Sequence, residues 1–542
     1  MTIERGSMKS IKKFLAVILS MTLMLTLGTA TFGAQKTLPS GKDTGSINVT
    51  NLKPGDTVTA YQFVKANYNE YGFTGYSAIN NYVKDPVAPT AQEVIDMASN
   101  AATMTVAAEK KVATGDTEVT LNGLPVGYYL VMVTSGSETV YSPMIAGIYY
   151  SKSATDNTLT NGAISADSDF EIKAQKCWAK SSTPKLEKTI VTPSSKNSKG
   201  DDIAIGDKTT FKLSATVPSY SKEYKKVTYK IYDIMSEGLD YVDGSMKCFI
   251  EKYENNRENI KVTPKVNGGI IEITFDSKFI LEHPGQKIQV EYQAKLNEKA
   301  GVNFDANINK AYLEYSNNPA SGSTAKTGED KVYVYTFGID SNLFGKSTEK
   351  WNEKTKELIK VEEGEYQWVE TEKESGIFTT TTALEGATFT LTNNKTKKSY
   401  TATSDKYGYL KFTGLDAGEY TLQETDAPDG FTLNDAKHTV VITTEYNQDG
   451  TLKSYTIKID DKATSTYTAT YDKGVIKTIT STKDSQGNIS ESAILKNSKM
   501  SFLPSTGGVG TTIFAIVGVV FVAAALGLHM ILRGKSKLEQ DR

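Results

Sequence analysis

The 542-residue sequence has few of the residues that build disulfide frameworks and metal centres. Its only cysteines are Cys177 and Cys248, which excludes a disulfide framework and leaves open whether the two pair or remain free thiols. None of its three histidines has a Cys, Asp or His partner at metal-ligand spacing. We therefore expect no metal site and no other cofactor.

The sequence also lacks a strong net charge and a complete nucleotide-binding motif. Lys and Arg number 61 and Asp and Glu number 63, so nucleic acid is not an expected partner. Gly345-Lys-Ser-Thr348 is similar to the end of a phosphate-binding loop, but Asp340 stands where the first glycine is required. We expect a protein without enzymatic turnover.

The N-terminal segment has the pattern of a secretory signal peptide. Lysines precede an apolar stretch from Phe14 to Leu27, and small residues follow from Gly28 to Ala34. Cleavage after Ala30 and cleavage after Ala34 both fit, and residues 1–34 are assigned to the signal peptide. The mature protein should therefore be secreted.

The C-terminal segment combines a short motif with a predicted membrane span. An uncharged apolar run extends from Ile513 to Leu532 and is followed by Arg533, Lys535 and Lys537, which predicts a transmembrane helix with a cytoplasmic tail. The motif ahead of this run consists of Leu503, Pro504, Ser505, Thr506 and Gly507. It resembles the Leu-Pro-x-Thr-Gly sorting signal of Gram-positive bacteria, which implies that a sortase cysteine attacks the Thr506 carbonyl and expels the chain from Gly507 onward.

The body of the chain has the pattern of several antiparallel β-sandwiches. Short alternating runs rich in Thr, Val, Tyr and Lys are separated by Gly, Asn and Asp. We predict an all-β protein with three tandem immunoglobulin-like domains at residues 35–180, 181–331 and 332–500, followed by the sorting signal at 501–542. A helix is expected from Thr90 to about Ala107, and Ser347 to Thr382 is expected to be an insertion or exposed loop.

One stretch of the first domain recurs in the last. Gly123-Leu-Pro-Val-Gly-Tyr-Tyr-Leu-Val131 corresponds to Gly414-Leu-Asp-Ala-Gly-Glu-Tyr-Thr-Leu422, which predicts a shared type of sandwich. The alignment places Val133 opposite Glu424. The first domain thus lacks an acid at this position.

Polar side chains occur in step with apolar ones along several predicted strands. Residues two apart share a face of a strand, so these polar groups should enter the core. The second domain offers a lysine, an acid and an amide, and the third domain offers the same three types: Lys188, Asp233 and Asn309, then Lys346, Glu424 and Asn497.

Two interpretations fit a buried lysine, acid and amide. The first is an ion pair with an asparagine hydrogen-bonded beside it. The second is a Lys–Asn isopeptide bond: burial favours the neutral amine and the protonated acid, the amine attacks the asparagine carbonyl, and ammonia leaves. Alternation alone does not decide between them.

Several motifs resemble the sortase-assembled backbone pilins of Gram-positive bacteria. Tyr420-Thr-Leu-Gln-Glu-Thr-Asp-Ala-Pro-Asp-Gly-Phe431 resembles the E-box of collagen-adhesin B-type domains, with Phe431 where tyrosine is usual. The resemblance to the isopeptide-forming middle domain rests on four motifs: Pro184-Lys-Leu-Glu-Lys188, Ile205-Gly-Asp207, Lys230-Ile-Tyr-Asp-Ile-Met235 and Tyr315-Ser-Asn-Asn-Pro319.

The resemblance implies two internal isopeptide bonds, Lys188–Asn309 promoted by Asp233 and Lys346–Asn497 promoted by Glu424. Asn317 is the alternative to Asn309, although its surroundings have the composition of a loop. The alternatives to Lys346 are Lys350 and Lys354. The first domain, with Val133 at the acid's position, should form no bond by this route.

The resemblance also implies a lysine that receives the acyl group of Thr506 from a neighbouring subunit. In such pilins this lysine ends the N-terminal domain in a Tyr-Pro-Lys-like motif, and Trp178-Ala-Lys180 occupies the corresponding place here. Lys180 is the first candidate and Lys176 the second.

The resulting functional expectation is a structural subunit of a covalent, cell-wall-anchored pilus that supports adhesion. The implied partners are pilin-specific and housekeeping sortases, other pilin subunits, peptidoglycan, and a host or matrix receptor. The alternatives are a monomeric wall-anchored adhesin and a minor basal or tip pilin.

Overall fold

A computed structural model describes residues 38–499 except for segments at 136–137, 152–163, 165–169, 192–196, 254–255, 340–355, 363–364, 371–380, 383, 406–409, 461–462 and 483–497. The predicted signal peptide and sorting signal lie outside the described residues. Among those residues, no helix has both the length and the apolar character needed to cross a bilayer. The fold is all-β, as predicted, with sheets that pair around separate apolar cores.

The first sandwich packs a three-stranded sheet, ordered β10-β1-β5, against a larger sheet ordered β3-β2-β6-β8-β9, with β4 also paired to β2. Its core is formed by alternating residues such as Ile47, Val49 and Tyr129. The strands are β1 (Thr44–Thr50), β2 (Thr57–Asn69), β3 (Gly72–Ala78), β4 (Val106–Lys111), β5 (Glu118–Pro125), β6 (Gly127–Thr134), β7 (Val140–Tyr141), β8 (Met144–Ser151), β9 (Glu171–Ala174), β10 (Cys177–Trp178) and β11 (Ser181–Ser182).

The predicted helix begins where expected but is shorter. Helix α1 spans Ala91–Ser99, and Thr90 caps it: the Glu93 backbone N–H donates to Thr90 Oγ1 at 3.2 Å and the Thr90 N–H donates to the Glu93 carboxylate at 2.7 Å. The predicted end near Ala107 is wrong. The chain makes a short 3₁₀ turn at Ala101–Thr103 and then pairs with the edge of β2 as β4, so sheet pairing overrides the helix propensity of the alanine-rich segment.

The second sandwich packs a sheet ordered β12-β14-β21-β17-β18 against one ordered β13-β24-β22-β15-β20-β19. A short helix, α2 (Ser277–Glu282), precedes β21 and is capped by Asp276. The strands are β12 (Leu186–Ile190), β13 (Gly200–Asp202), β14 (Lys208–Thr216), β15 (Tyr229–Met235), β16 (Leu239–Tyr241), β17 (Lys247–Tyr253), β18 (Asn256–Ile260), β19 (Lys265–Asn267), β20 (Ile270–Thr274), β21 (Lys287–Leu296), β22 (Asn307–Asn318), β23 (Ser323–Lys326) and β24 (Asp330–Tyr335).

Strand β24 crosses the predicted boundary between residues 331 and 332. It pairs with β22 and β13 of the second sandwich. Val332 and Val334 pack into the second core, whereas Tyr335 and Phe337 pack into the third. Strand β24 therefore completes the sheet of the second sandwich and also contributes Tyr335 to the core of the third.

The third sandwich is built on a seven-stranded sheet ordered β30-β29-β32-β34-β35-β36-β37, with β25 paired to β31 and β33 paired to β38. The segment predicted as a loop from Ser347 to Thr382 contains a separate antiparallel sheet of β26, β27 and β28. The strands are β25 (Phe337–Ile339), β26 (Lys356–Glu362), β27 (Glu365–Glu370), β28 (Thr381–Thr382), β29 (Thr388–Asn393), β30 (Ser399–Thr403), β31 (Phe412–Leu415), β32 (Gly418–Asp426), β33 (Phe431–Thr432), β34 (Lys437–Tyr446), β35 (Leu452–Ile459), β36 (Ala463–Asp472), β37 (Val475–Thr482) and β38 (Ser498–Lys499).

The recurring stretch has the same local geometry in the first and third sandwiches. Gly123 and Gly414 both adopt left-handed backbone conformations, with φ of 71° and 77°. The Tyr129 hydroxyl donates to the carbonyl four residues earlier at 2.5 Å, and the Tyr420 hydroxyl does the same at 2.8 Å. The sequence repeat is thus a repeat of turn and strand geometry.

The second and third sandwiches are joined through a partly buried carboxylate at the end of β13. Asp202 accepts hydrogen bonds from the Ala417 N–H and from the Tyr446 hydroxyl, both at 2.6 Å. Burial raises the pKa of this carboxyl, and the two donors oppose the shift. Lys398 adds a second link by donating to the Ile205 carbonyl at 2.6 Å.

Candidate functional site

Two strands of one sheet place a lysine and a tyrosine in the core of the second sandwich. Lys188 alternates with buried Leu186 and Ile190 on β12, as predicted. Strand β14 separates β12 from β21: Lys188 is opposite Leu213, and Tyr292 of β21 is opposite Phe211. Because Leu213 and Phe211 are two apart on β14, Lys188 and Tyr292 face the same side of this sheet.

The facing sheet supplies the acid and the amide. Asp233 on β15 is opposite Ala311 on β22, and Asn309 is opposite Met235. The two polar residues are therefore diagonal neighbours on one face of the sheet. Both are fully buried, as alternation predicted.

The four side chains form one hydrogen-bonded group. The Lys188 ammonium donates to Asp233 Oδ2 and, at 3.1 Å, to the Tyr292 hydroxyl oxygen. The Tyr292 hydroxyl donates to Asp233 Oδ1 at 2.7 Å, and Asn309 Nδ2 donates to the Tyr292 oxygen at 2.7 Å. Asn309 Oδ1 has no hydrogen-bond partner among the residues that the structure describes.

Burial shifts the pKa values of Lys188 and Tyr292. Removal from water lowers the pKa of Lys188, with Asp233 opposing the shift, and the Phe211 ring lies 5.1 Å from Nζ. Burial also raises the pKa of Tyr292 well above its ordinary value, and the negative charge of Asp233 adds to this effect. The tyrosine therefore keeps its proton, and the lysine is biased toward the neutral amine that can act as a nucleophile.

A second set of contacts fixes the backbone of β12. The Lys188 N–H donates to Asp330 Oδ2 at 2.7 Å, and Lys199 Nζ bridges the same oxygen and the Lys188 carbonyl, both at 2.6 Å. Lys199 and Asp330 are partly exposed, with side-chain exposures of 22% and 29%. They hold the main chain of Lys188 without entering the buried group.

Tyr292 is the member of the group that sequence reasoning missed. Its strand alternates Ile288, Val290, Tyr292 and Ala294, all buried, and a tyrosine fits such an apolar face without conflict. The alternation pattern singles out a residue only when a polar side chain occupies a position among apolar ones. The available signal was the phenol hydroxyl, which needs a partner when it is buried.

The alternative amide, Asn317, does not join the group. It lies near the end of β22 and accepts from the Ser323 hydroxyl at 2.7 Å. The surrounding stretch, which has the composition of a loop, forms a hairpin in which β22 extends to Asn318 and pairs with β23 across a turn. Asn307, which is also buried, is satisfied by Gly301 and the Val334 carbonyl.

In the third sandwich the structure describes only the acid of the predicted set. Glu424 is 2% exposed on β32 and accepts from the Asn434 N–H at 2.6 Å. Asn497 and the three candidate lysines, Lys346, Lys350 and Lys354, lie outside the described residues. Ser498, the residue after Asn497, pairs with Thr432 two positions before Asn434.

The two candidate linking lysines flank a short strand at the end of the first sandwich. Lys176 and Lys180 are both exposed, and Trp178 between them is 63% exposed. Strand β10 pairs in parallel with β1, and the Ser142 N–H donates to the Lys180 carbonyl at 3.0 Å. The main chain is therefore fixed while both ammonium groups face solvent.

The remaining positions singled out from the sequence are a buried valine and two buried cysteines. Val133 is buried opposite Val58 in the first core. Cys177 and Cys248 are free, buried thiols in different cores, and burial raises the pKa of each to about 12. No group of three or more His, Cys, Asp or Glu side chains suited to a metal ion occurs in the described part of the chain.

Comparison with known families finds three matches along the chain. Residues 42–181 match a family described as the T6 antigen Ig-like domain. Residues 367–456 match a prealbumin-like fold domain of the SpaA type, and residues 496–537 match the LPXTG cell-wall anchor motif.

The chain is also similar to a surface protein along nearly its whole length. It is 26% identical over 549 residues to the trypsin-resistant surface T6 protein of Streptococcus pyogenes serotype M6, covering 92% of this chain and 96% of the relative. Among solved structures, the three-domain T6 backbone pilin of S. pyogenes serotype M6 matches with 21% identity and a TM-score of 0.56, covering 85% of this chain and all of the other.

Proposed function

We propose that this chain, a backbone pilin of the sortase-assembled class carried on the cell wall, is polymerised through Thr506 of one subunit and Lys180 of the next. It is a structural protein, and its partners are a sortase, other pilin subunits and the cell wall. In the proposed reaction the sortase cysteine forms a thioester with Thr506 and releases the chain from Gly507 onward. The neutral amine of Lys180 then attacks the thioester and leaves an amide bond between subunits.

The exposed position of Lys180 supports this intersubunit step. Its side chain faces solvent at the end of the first sandwich, whereas its carbonyl is held by Ser142 and its neighbour Ala179 is fully buried. A fixed main chain with a free amine limits the entropy lost when a sortase binds. Lys176 is also exposed and is the natural comparison.

We further propose that Lys188 and Asn309 form an internal isopeptide bond. The observation that carries this part is the fully buried group of Lys188, Asp233, Tyr292 and Asn309. The Lys188 amine attacks Asn309 Cγ, the new C–N bond forms, and the amide nitrogen leaves as ammonia. One lysine proton remains on Asp233 and another leaves with the ammonia, so the product is neutral throughout the core.

A corresponding bond in the third sandwich is proposed between Asn497 and Lys346, promoted by Glu424. Glu424 is buried, and the pairing of Ser498 with Thr432 brings the chain next to Asn497 toward the turn that contacts Glu424. Lys350 and Lys354 are the alternative donors. The first sandwich, with Val133 at the repeat position, is proposed to form no such bond.

Substitution of the linking lysine tests the polymer. Lys180→Ala and the matched variant Lys176→Ala are expressed with the sortase of the same cells, and wall extracts are blotted after denaturation. Loss of the high-molecular-weight ladder only in Lys180→Ala supports the proposal. A ladder that survives in Lys180→Ala contradicts that lysine, and a wild type without a ladder favours a monomeric wall-anchored adhesin.

A further inference from the structure

The amine nitrogen of Lys188 and the amide nitrogen of Asn309 are connected by an unbroken set of hydrogen bonds. Lys188 Nζ contacts Asp233 Oδ2, the other oxygen of that carboxyl accepts from Tyr292, and the Tyr292 oxygen lies 2.7 Å from Asn309 Nδ2. The first atom is the proposed nucleophile and the last is the proposed leaving group. Both nitrogen atoms therefore contact a group that can transfer protons.

We propose that Tyr292 is a catalytic residue of internal bond formation, because its hydroxyl delivers the proton that releases the Asn309 nitrogen as ammonia. This inference rests on the proposed Lys188–Asn309 bond. It adds a chemical role to a residue that also fills the core. Asp233 and Tyr292 act together as a relay from nucleophile to leaving group.

The need for a relay follows from the chemistry of an amide. Amide nitrogen is a poor leaving group until it is protonated, and the buried site is closed to solvent. After Nζ attacks, the nitrogen of Lys188 carries a surplus proton, whereas Nδ2 needs one. Moving that proton inside the group avoids an isolated charge in the core.

The proton steps balance as follows. An ammonium proton of Lys188 first passes to Asp233, which leaves a neutral amine and a neutral acid. The amine attacks Cγ, and the carbonyl electron pair moves to Oδ1. Rotation of the neutral carboxyl then turns its proton toward Tyr292. The Tyr292 hydroxyl passes its own proton to Nδ2 and takes the carboxyl proton in its place, and the resulting carboxylate accepts a second proton from Nζ. Reformation of the carbonyl expels ammonia, and Asp233 remains protonated.

The geometry explains why the relay operates only after attack. Before the reaction the Nδ2 lone pair is delocalised, so Nδ2 donates to Tyr292, as the structure has it. Once Cγ becomes tetrahedral, Nδ2 acquires a basic lone pair, and the hydroxyl can turn its proton from Asp233 toward it. Burial, which raises the pKa of Tyr292, ensures that this proton is present when it is needed.

The experiment compares Tyr292→Phe with Tyr229→Phe in the full chain. Tyr229 is a matched control because it is fully buried in the same core and its hydroxyl has no hydrogen-bond partner among the described residues. Bond formation is followed by intact mass during cell-free synthesis, since each bond lowers the mass by one ammonia. We expect Tyr229→Phe to react like the wild type and Tyr292→Phe to react at least about a hundredfold more slowly.

A second variant keeps the test valid if the phenylalanine disturbs folding. Tyrosine fluorinated beside its hydroxyl, placed at position 292, retains the hydrogen bonds but is a stronger acid. A changed rate supports proton transfer, whereas a hydroxyl that only positions its neighbours would leave the rate unchanged. If the wild type reacts and folded Tyr292→Phe reacts equally fast, the relay is wrong. A wild type that never loses ammonia from this pair overturns the internal bond itself.

Discussion

Lys188 and Asp233 contact each other across the core of the second sandwich, and neither side chain is exposed to solvent. Removing two charges from water costs several kcal/mol per ion, and their attraction does not always compensate. In the proposed reaction, proton transfer from the lysine to the acid removes both charges, and bond formation with Asn309 would make the neutral state permanent.

Replacing Asp233 by asparagine should prevent the Lys188–Asn309 bond, because the amide cannot take the lysine proton. The intact mass should then exceed by one ammonia the mass calculated for the bonded variant. A bond that closes a loop of about 120 residues restricts the unfolded chain, and the entropy model for disulfides gives roughly 5 kcal/mol for such a loop. Thermal unfolding of the second sandwich should therefore begin at a markedly lower temperature.

Asp240→Asn is the matched control, because Asp240 is an exposed acid on a neighbouring strand. It should lose ammonia as completely as the wild type does and should unfold at the same temperature. Complete bond formation in Asp233→Asn would show that another group accepts the proton.

The rate of bond formation should be nearly independent of pH around neutrality. The neutral amine and the neutral acid together hold as many protons as the ammonium and carboxylate of the ion pair. The ratio of these two forms therefore does not depend on pH as long as the two groups share one transferable proton. The rate should fall in acid, when Lys188 and Asp233 are both protonated, and in base, when the pair loses its proton. The basic limb should begin below the ordinary lysine pKa of 10.5, because burial lowers the pKa of Lys188.

The slow variant Tyr292→Phe allows this pH profile to be measured by mass over time. Two other charged groups act on Lys188: Asp330 raises its pKa and Lys199 lowers it. A rate that rises about tenfold per pH unit through neutrality is the behaviour of a solvated lysine and would be inconsistent with a coupled pair.

Glu424→Gln should abolish the bond of the third sandwich and leave the second intact. Glu424 is buried on β32 and is the acid of the proposed set. Cross-linked peptides in the wild type identify the partner of Asn497 among Lys346, Lys350 and Lys354. Glu419→Gln, a change at an exposed acid of the same strand, is the control. Persistence of the Asn497 cross-link in Glu424→Gln would remove the proposed role of this acid.

Neither cysteine should react with thiol reagents in the folded protein. Both are buried, and a pKa of about 12 leaves almost no thiolate at pH 8. Unfolding without a reductant should expose two reactive thiols. One fast-reacting thiol in the native protein, or none after unfolding, would contradict the free, buried state of Cys177 and Cys248.

The features predicted correctly are those that depend on the two-residue alternation of side chains along a β-strand. Lys188, Asp233, Asn309 and Glu424 were identified because a charged or amide group in step with apolar residues conflicts with its surroundings, and all four are buried. Tyr292 gave no such conflict. Its contacts with Lys188, Asp233 and Asn309 depend on which strands face each other across the core. The pairing of β12 with β14 and of β15 with β22 is a long-range property.

The end of the helix and the sheet that β24 joins also depend on long-range strand pairing. Residues 100–111 have the alanine content of a helix, but the edge of β2 offers backbone hydrogen bonds that favour β4. Strand β24 lies next to the third sandwich in sequence, yet its valines fill the second core. Local composition does not reveal which sheet edge is free to accept a strand.

The Lys188–Asn309 bond is tested by tandem mass spectrometry of tryptic peptides from the wild-type protein. The Lys188–Asn309 bond predicts a branched peptide in which residues 186–196 are joined to residues 300–310, because trypsin cannot cut after a modified Lys188. Its mass should be one ammonia below the sum of the two peptides, with fragments placing the link on Asn309 rather than Asn307. Cleavage after Lys188 together with an unmodified peptide 300–310 would contradict the internal bond.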